Sequence, residues 1–254
     1  MSVMVDLFPC LALAQFVAAS WPAWWRVLSV FAYFVAVALV IGGTLTYLAV
    51  VRPVLRARES GIEDADVVVM QHRSATLLAS SGLALVVAAY VQLAGRVARA
   101  DTGTSFGEAL APARMWHFLA QPAKAGSWVS SGTLILVQNV LFVVVAVLLI
   151  ALFVPGVRDR LGSVATVAAS LTVTASVVSS LPTNPGAETF DDVLGTVMTQ
   201  VHILAGCTWL GGLAGLVLLS RTWGALGKHA GLFWARMWQR FSVLALTAVG
   251  AVIT

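Results

Sequence analysis

The hydrophobic residues of this chain are grouped in runs that are each about as long as a membrane-spanning helix. Long apolar runs are separated by shorter stretches that contain Arg, Asp, Gly and Pro. An α-helix rises about 1.5 Å per residue, so about 20 apolar residues cross the hydrocarbon core of a bilayer. The pattern predicts an all-α polytopic transmembrane helix bundle of about six spans, at residues 27–51, 74–95, 127–154, 161–181, 193–220 and 241–254.

The two ends of the sequence leave alternatives open. Residues 1–20 are apolar but are interrupted by Asp6 and Pro9, so the segment 1–26 is interpreted as interfacial, with a seventh span as the alternative. The sixth span has only 14 residues before the sequence stops, and a free carboxylate deep in hydrocarbon is costly. Either the last helix is held inside protein, or the bundle of residues 27–254 continues in a longer polypeptide. The second interpretation is favoured.

Composition narrows the class of protein. Hydrophobic residues make up 59% of the chain and charged residues 10%, whereas a soluble domain carries about 25% charged residues. The lipid bilayer is therefore the expected environment. The net charge of +4 comes from loops between apolar runs, so no nucleic acid is expected as a partner. Cys10 and Cys207 lie in apolar segments and predict no disulfide framework. No catalytic motif is present, so we expect no enzyme.

Loop charges predict the orientation in the membrane. Ten of the 15 Lys and Arg residues lie in the loops 52–73, 155–160 and 221–240. Positively charged loops remain on the cytoplasmic side, so these three loops are predicted to be cytoplasmic. The long loop 96–126 and the acidic turn 182–192 are then predicted to face outward.

The fifth span, Val193–Ser220, carries a candidate metal site. It has no charged side chain, and His202 lies near its middle. An ionisable residue at that depth indicates a functional site by default, so His202 is expected to face protein or a cavity. Met198 precedes it by one helical turn, and thioether and imidazole groups suit copper(I). Cys207 lies about 140° around the helix from His202 and is interpreted as an inert buried thiol.

Structural roles are the alternatives for the same residues. His202 would then be a neutral imidazole hydrogen-bonded to a Ser or Thr of the fourth span, and Met198 would fill the core or face lipid. In the loop 96–126, Met115 and His117 flank Trp116 and offer an ion-capture pair at the outer face. An interfacial helix that presents Trp116 to headgroups explains that run equally well.

Glycine pairs predict close helix packing. Gly211 and Gly212 in the fifth span, and Gly42-Gly43 in the first, let a neighbouring backbone approach closely. Trp209 is interpreted as packing on such a glycine surface. Gln138 and Asn139 in the third span are predicted to form hydrogen bonds between helices.

The fifth span and the residues after it resemble the CopD family. His202 is followed by small residues, a Trp-Leu-Gly-Gly motif, a basic loop and an Arg-Phe-Ser motif; the motif residues are Trp209, Gly211, Gly212, Arg240, Phe241 and Ser242. This family comprises bacterial inner-membrane copper-resistance proteins, including YcnJ-type proteins and CopD–CtaG fusions. The resemblance implies copper handling in the bacterial cytoplasmic membrane. It also implies a periplasmic copper chaperone or a cytochrome oxidase assembly protein as partner.

Two functions follow from these observations. The first is copper transport, delivery or resistance, with His202 and Met198 as an intramembrane site open to the outer face and Met115 and His117 as outer ligands. The alternative is a non-catalytic structural or assembly subunit that has lost the metal, because residues 179–184 lack a histidine that the family often carries there. No haem is expected, since only His202 lies well within a span.

Overall fold

The computed structural model describes residues 23–57, 63–100, 104–184, 186, 189–221 and 230–253. Most of the predicted N-terminal segment, together with Cys10 and His229, lies outside the described residues. All regular secondary structure within the described ranges is helical, which confirms the all-α bundle.

Five helices of the described chain are long and apolar enough to cross a membrane. They are α1 (Trp24–Ala57), α2 (Asp64–Ala100), α5 (Ser131–Phe153), α7 (Leu161–Val178) and α8 (Phe190–Ser220). The shorter helices are α3 (Phe106–Ala109), α4 (Pro112–Leu119) and α6 (Pro155–Arg158), and α9 (Ala230–Ile253) follows α8. The predicted sixth span is therefore the second half of α9, which is not among the five apolar helices found in the described residues.

Helix α1 lies at the centre of the bundle. It packs against α2, α7 and α8, while α5 joins α2 to α7 and α9 lies along α8. Two thirds of the most apolar part of α1 is buried, against one third for α5 and for α7. Among the described helices, the first span is thus the one around which the others pack.

Helix α1 contains a proline, Pro53, and a π-helical turn just before it. The helix extends to Ala57, six residues beyond the predicted end of the first span at Val51. A π-helical turn at Tyr47–Val51 precedes the proline, and the Arg52 N–H donates to the Tyr47 carbonyl, five residues earlier. Proline has no N–H and clashes with the carbonyl four residues before it. The widened turn accommodates this clash, so the polypeptide stays helical.

The predicted loop 96–126 is largely helical. Residues 96–100 complete α2, and α3 and α4 cover the end of the bundle. The rings of Trp25 and Phe106 stack with centroids 4.8 Å apart, and the Tyr90 hydroxyl donates to the Leu110 carbonyl at 2.6 Å. These contacts attach the short helices to α1 and α2.

Candidate functional site

Helix α8 carries the predicted metal ligands and begins with a capping box. The Thr189 hydroxyl accepts from the Asp192 N–H at 3.3 Å, and the Asp192 carboxylate accepts from the Thr189 N–H at 2.9 Å. Reciprocal bonds of this kind satisfy backbone donors at a helix start. They fix the first residue of α8 at Phe190 and so set the position of every side chain after it.

Met198 and His202 lie together on the outer surface of the bundle. They are one helical turn apart, Met198 is 48% exposed, and His202 is also exposed. His202 does not face the interior of the described bundle, and the expectation that it faces protein stays a prediction about a facing helix outside it. Its hydrogen bond to the fourth span is not formed either, since within the described residues the imidazole contacts no hydrogen-bond partner.

The orientation of His202 follows from the packing of α8 on α1. Gly211, nine residues after His202, lies at this contact. Nine residues at about 100° each amount to about 900°, so the two side-chain directions differ by about 180° around the helix axis. His202 therefore projects away from α1. Within the described part of the chain, no three His, Cys, Asp or Glu residues are placed to hold a metal ion. The Met198–His202 pair offers one thioether and one imidazole ligand, and further ligands would have to come from another element.

The structure does not bring Met115 and His117 together. Both lie on α4, where two residues of separation correspond to about 200° around the axis. Met115 is 4% exposed and packs with Leu93 and Leu119 in the cluster beneath α4. His117 is exposed and faces a cavity lined also by Arg114. The predicted outer pair is thus split between the two faces of one short helix.

The two glycine pairs meet in a single backbone contact. A Cβ on Gly42 would overlap the backbone of Gly211 and Gly212, and one on Gly211 would overlap the Ala38 carbonyl. A Cβ on Gly212 would lie 2.6 Å from the Thr46 hydroxyl oxygen. Residue numbers increase together along both helices, so α1 and α8 run in the same direction.

The remaining residues of the family motif have different surroundings. Phe241 is 4% exposed, and its ring lies 2.8 Å from the position of a Cβ on Gly212. Trp209 is 46% exposed and projects from another face of α8. Arg240 is exposed, and the Ser242 hydroxyl donates to the Trp238 carbonyl of its own helix at 2.9 Å. Only Phe241 and the glycines join the helix contact.

Several polar groups lie inside the bundle. Gln138 donates to the Tyr33 hydroxyl at 3.2 Å and links α5 to α1, whereas Asn139 donates to the Ile135 carbonyl within its own helix. No pattern in the sequence points to the hydroxyls of Thr46 and Ser74. Both are 2% exposed, have no hydrogen-bond partner, and line a cavity of about 10 Å³ between α1, α2 and α8.

The chain is similar to one named copper protein. Over 179 residues, 69% of its length, it is 30% identical to the copper transport protein CutJ of Bacillus subtilis (strain 168). The matched residues are 30% of that protein, so the chain spans less than a third of the relative's length. No protein-family model and no solved structure matches the chain. The similarity supports a relationship to a copper-related membrane family and does not single out the CopD family.

Proposed function

We propose that this chain is a copper-handling module of the bacterial cytoplasmic membrane. The similarity to a copper transport protein, which covers 69% of the chain, carries the proposal. Helix α8 supplies the chemistry, since a thioether and an imidazole one turn apart on an uncharged stretch are suitable ligands for copper(I). The ion is the cargo, and the module transfers it without a catalytic reaction.

The exposure of Met198 and His202 defines what the site needs. Two ligands from one helix leave an ion open on the side away from α1, so a facing helix has to supply the rest. That helix belongs to a second copy, to a longer polypeptide, or to a partner such as a periplasmic chaperone or an oxidase assembly protein. With the loops 52–73, 155–160 and 221–240 in the cytoplasm, His202 lies in the outer half of α8 and receives copper from outside.

Copper content of the purified protein tests this proposal. The protein is loaded with copper(I) under reducing conditions, and bound metal is measured by elemental mass spectrometry. Wild type is expected to retain copper, while His202→Ala and Met198→Ala are expected to lose most of it. His72→Ala is the matched control, because His72 is also exposed but lies on α2. Equal copper in wild type and His202→Ala would refute the assignment of the site.

A second candidate function is a structural or assembly subunit without metal. The observation in its favour is the exposed His202, which has no third ligand among the described residues. Such a subunit would remain bound to a defined partner after gentle solubilisation and would carry no copper. A monodisperse, isolated chain that binds copper would contradict it.

A further inference from the structure

A cationic cavity lies where α1 ends and α6 precedes α7. Its volume is about 330 Å³, and it is lined by three guanidinium groups, those of Arg52 and Arg56 from α1 and Arg158 from α6. Asp159 is the acidic side chain among its lining residues. Among these described lining residues, the positive charges exceed the negative charges by two.

These arginines are not neutralised by the described residues around them. Arg52 and Arg56 have no carboxylate within ion-pair distance in the described part of the chain. Arg158 donates to the carbonyls of Leu152 and Phe153, at 3.5 and 3.4 Å, and no carboxylate pairs with it there. Three guanidinium groups that share one cavity with a single carboxylate repel one another, so a bound anion would stabilise this arrangement.

Gly162 provides the space for one guanidinium. A Cβ on Gly162 would lie 2.6 Å from Arg52 Cζ and 2.8 Å from its Nε. Arg52 is half-buried as a result, with its head group directly against the first turn of α7. The cavity is therefore built from four separate helices, α1, α2, α6 and α7, rather than from a single exposed charged stretch.

The position of the cavity along the membrane normal favours a lipid ligand. Arg52 follows the last apolar residue of the first run, Val51, and Arg158 follows the end of α5 by five residues. Arginines at such boundaries lie at headgroup depth. Leu55, Val67 and Leu161 add apolar surface to the same cavity. A free phosphate would use the arginines alone, whereas a phospholipid would also contact this surface.

We propose that this cavity binds the phosphate of an anionic phospholipid headgroup. Guanidinium groups match phosphate oxygens in bidentate geometry, and basic pockets between spanning helices are suited to anionic headgroups. The ligand comes from the leaflet that surrounds this end of the bundle. Binding there joins α1 to the α6–α7 connection and does not depend on copper.

Lipid binding by the purified protein in detergent tests the proposal. Phosphatidylglycerol, phosphatidylcholine and inorganic phosphate are titrated separately, and bound molecules are counted by native mass spectrometry. Wild type is expected to bind phosphatidylglycerol in preference to phosphatidylcholine. Arg52→Gln and Arg158→Gln are each expected to weaken phosphatidylglycerol binding about fivefold, and the double variant about 25-fold, because each basic side chain near a headgroup contributes about 1 kcal/mol.

Two further variants separate the cavity from general charge. Arg221→Gln removes a charge from the same end of the bundle but outside the cavity, and is expected to leave binding unchanged. Gly162→Ala keeps every charge but displaces Arg52, and is expected to weaken binding several-fold. If the arginine variants do not fold, phosphatidylglycerol binding by Gly162→Ala alone tests the proposal. Unchanged phosphatidylglycerol binding in Gly162→Ala or in the double arginine variant would overturn the proposal. Competition by inorganic phosphate at the same concentration as the lipid would also overturn it.

Discussion

Three glycines determine how closely the two best-packed helices approach. Gly42, Gly211 and Gly212 replace side chains with direct backbone contact between α1 and α8. In a bilayer, helices gain little from hydrophobic burial against one another, so close van der Waals packing is a main source of association energy. A single methyl group at this contact has no space to occupy.

The first prediction concerns this contact. We expect Gly211→Ala to destabilise the bundle by at least about 1–3 kcal/mol, because the new Cβ overlaps the Ala38 carbonyl and the helices have to separate. Gly206→Ala is the control on the same helix. Nothing lies within 4 Å of its Cβ position, so the gain in helix propensity, up to about 1 kcal/mol, is expected to remain. Thermal unfolding in detergent measures both, and equal melting temperatures would contradict this account.

At the residue scale, the depth of His202 could be predicted from the sequence, whereas its direction could not be predicted from the apolar run alone. Its depth follows from counting residues along an apolar run, but its direction depends on which face of α8 meets α1. A signal for that face is present in the sequence. The small residues Ala205, Thr208, Gly212 and Gly215 recur at alternating spacings of three and four, and an extension of this series towards the N-terminus reaches Val201 rather than His202.

At the scale of elements, the number of spanning helices can be predicted, because the thickness of the hydrocarbon core sets a minimum length for each apolar run. Five apolar runs were identified correctly because their length is a physical requirement. The helices α1 and α2 extend beyond the predicted bounds of their spans. Helix α2 begins at Asp64, ten residues before the predicted start of its span, because the polar turns before Ser74 remain helical outside the apolar part. Helix α1 passes Pro53 through its π turn, a geometry that residue preferences do not reveal.

The start of α8 gives a prediction at this scale. Thr189→Ala removes the hydroxyl that accepts from the Asp192 N–H, and we expect a loss of about 0.5–2 kcal/mol in unfolding free energy. Thr199→Ala is the matched control, since that exposed hydroxyl only donates to the Gly195 carbonyl of the same helix. Denaturant titration followed by circular dichroism distinguishes the two. A Thr189→Ala protein as stable as the Thr199→Ala protein would show that the cap contributes nothing.

At the scale of the whole molecule, the two ends of the bundle differ in character. One end is covered by the short helices α3 and α4, which rest on α2. The other is rich in arginine and holds the cationic cavity. This difference could be predicted from loop charges, but the cavity could not, because Arg52 and Arg158 are separated by more than a hundred residues in sequence.

Membrane orientation is the prediction at this scale. In a background of Cys10→Ser and Cys207→Ala, a membrane-impermeant thiol reagent added to intact cells is expected to label the chain that carries Lys124→Cys. It is expected to label the chain that carries Arg221→Cys only after the membrane is permeabilised. Both positions are exposed, so accessibility within the protein is matched. The reverse labelling pattern would invert the orientation and would place the cationic cavity in the outer leaflet.

The backbone contact between α1 and α8 has a consequence for permeation. Where Gly42 meets Gly211 and Gly212, the backbones of the two helices are in direct contact and no side chains lie between them. The contact therefore leaves no space for water or an ion. A conduction pathway cannot run between these two helices at that depth. A metal ion bound at Met198 and His202 would have to cross on the opposite flank of α8, along a groove completed by whatever helix docks there.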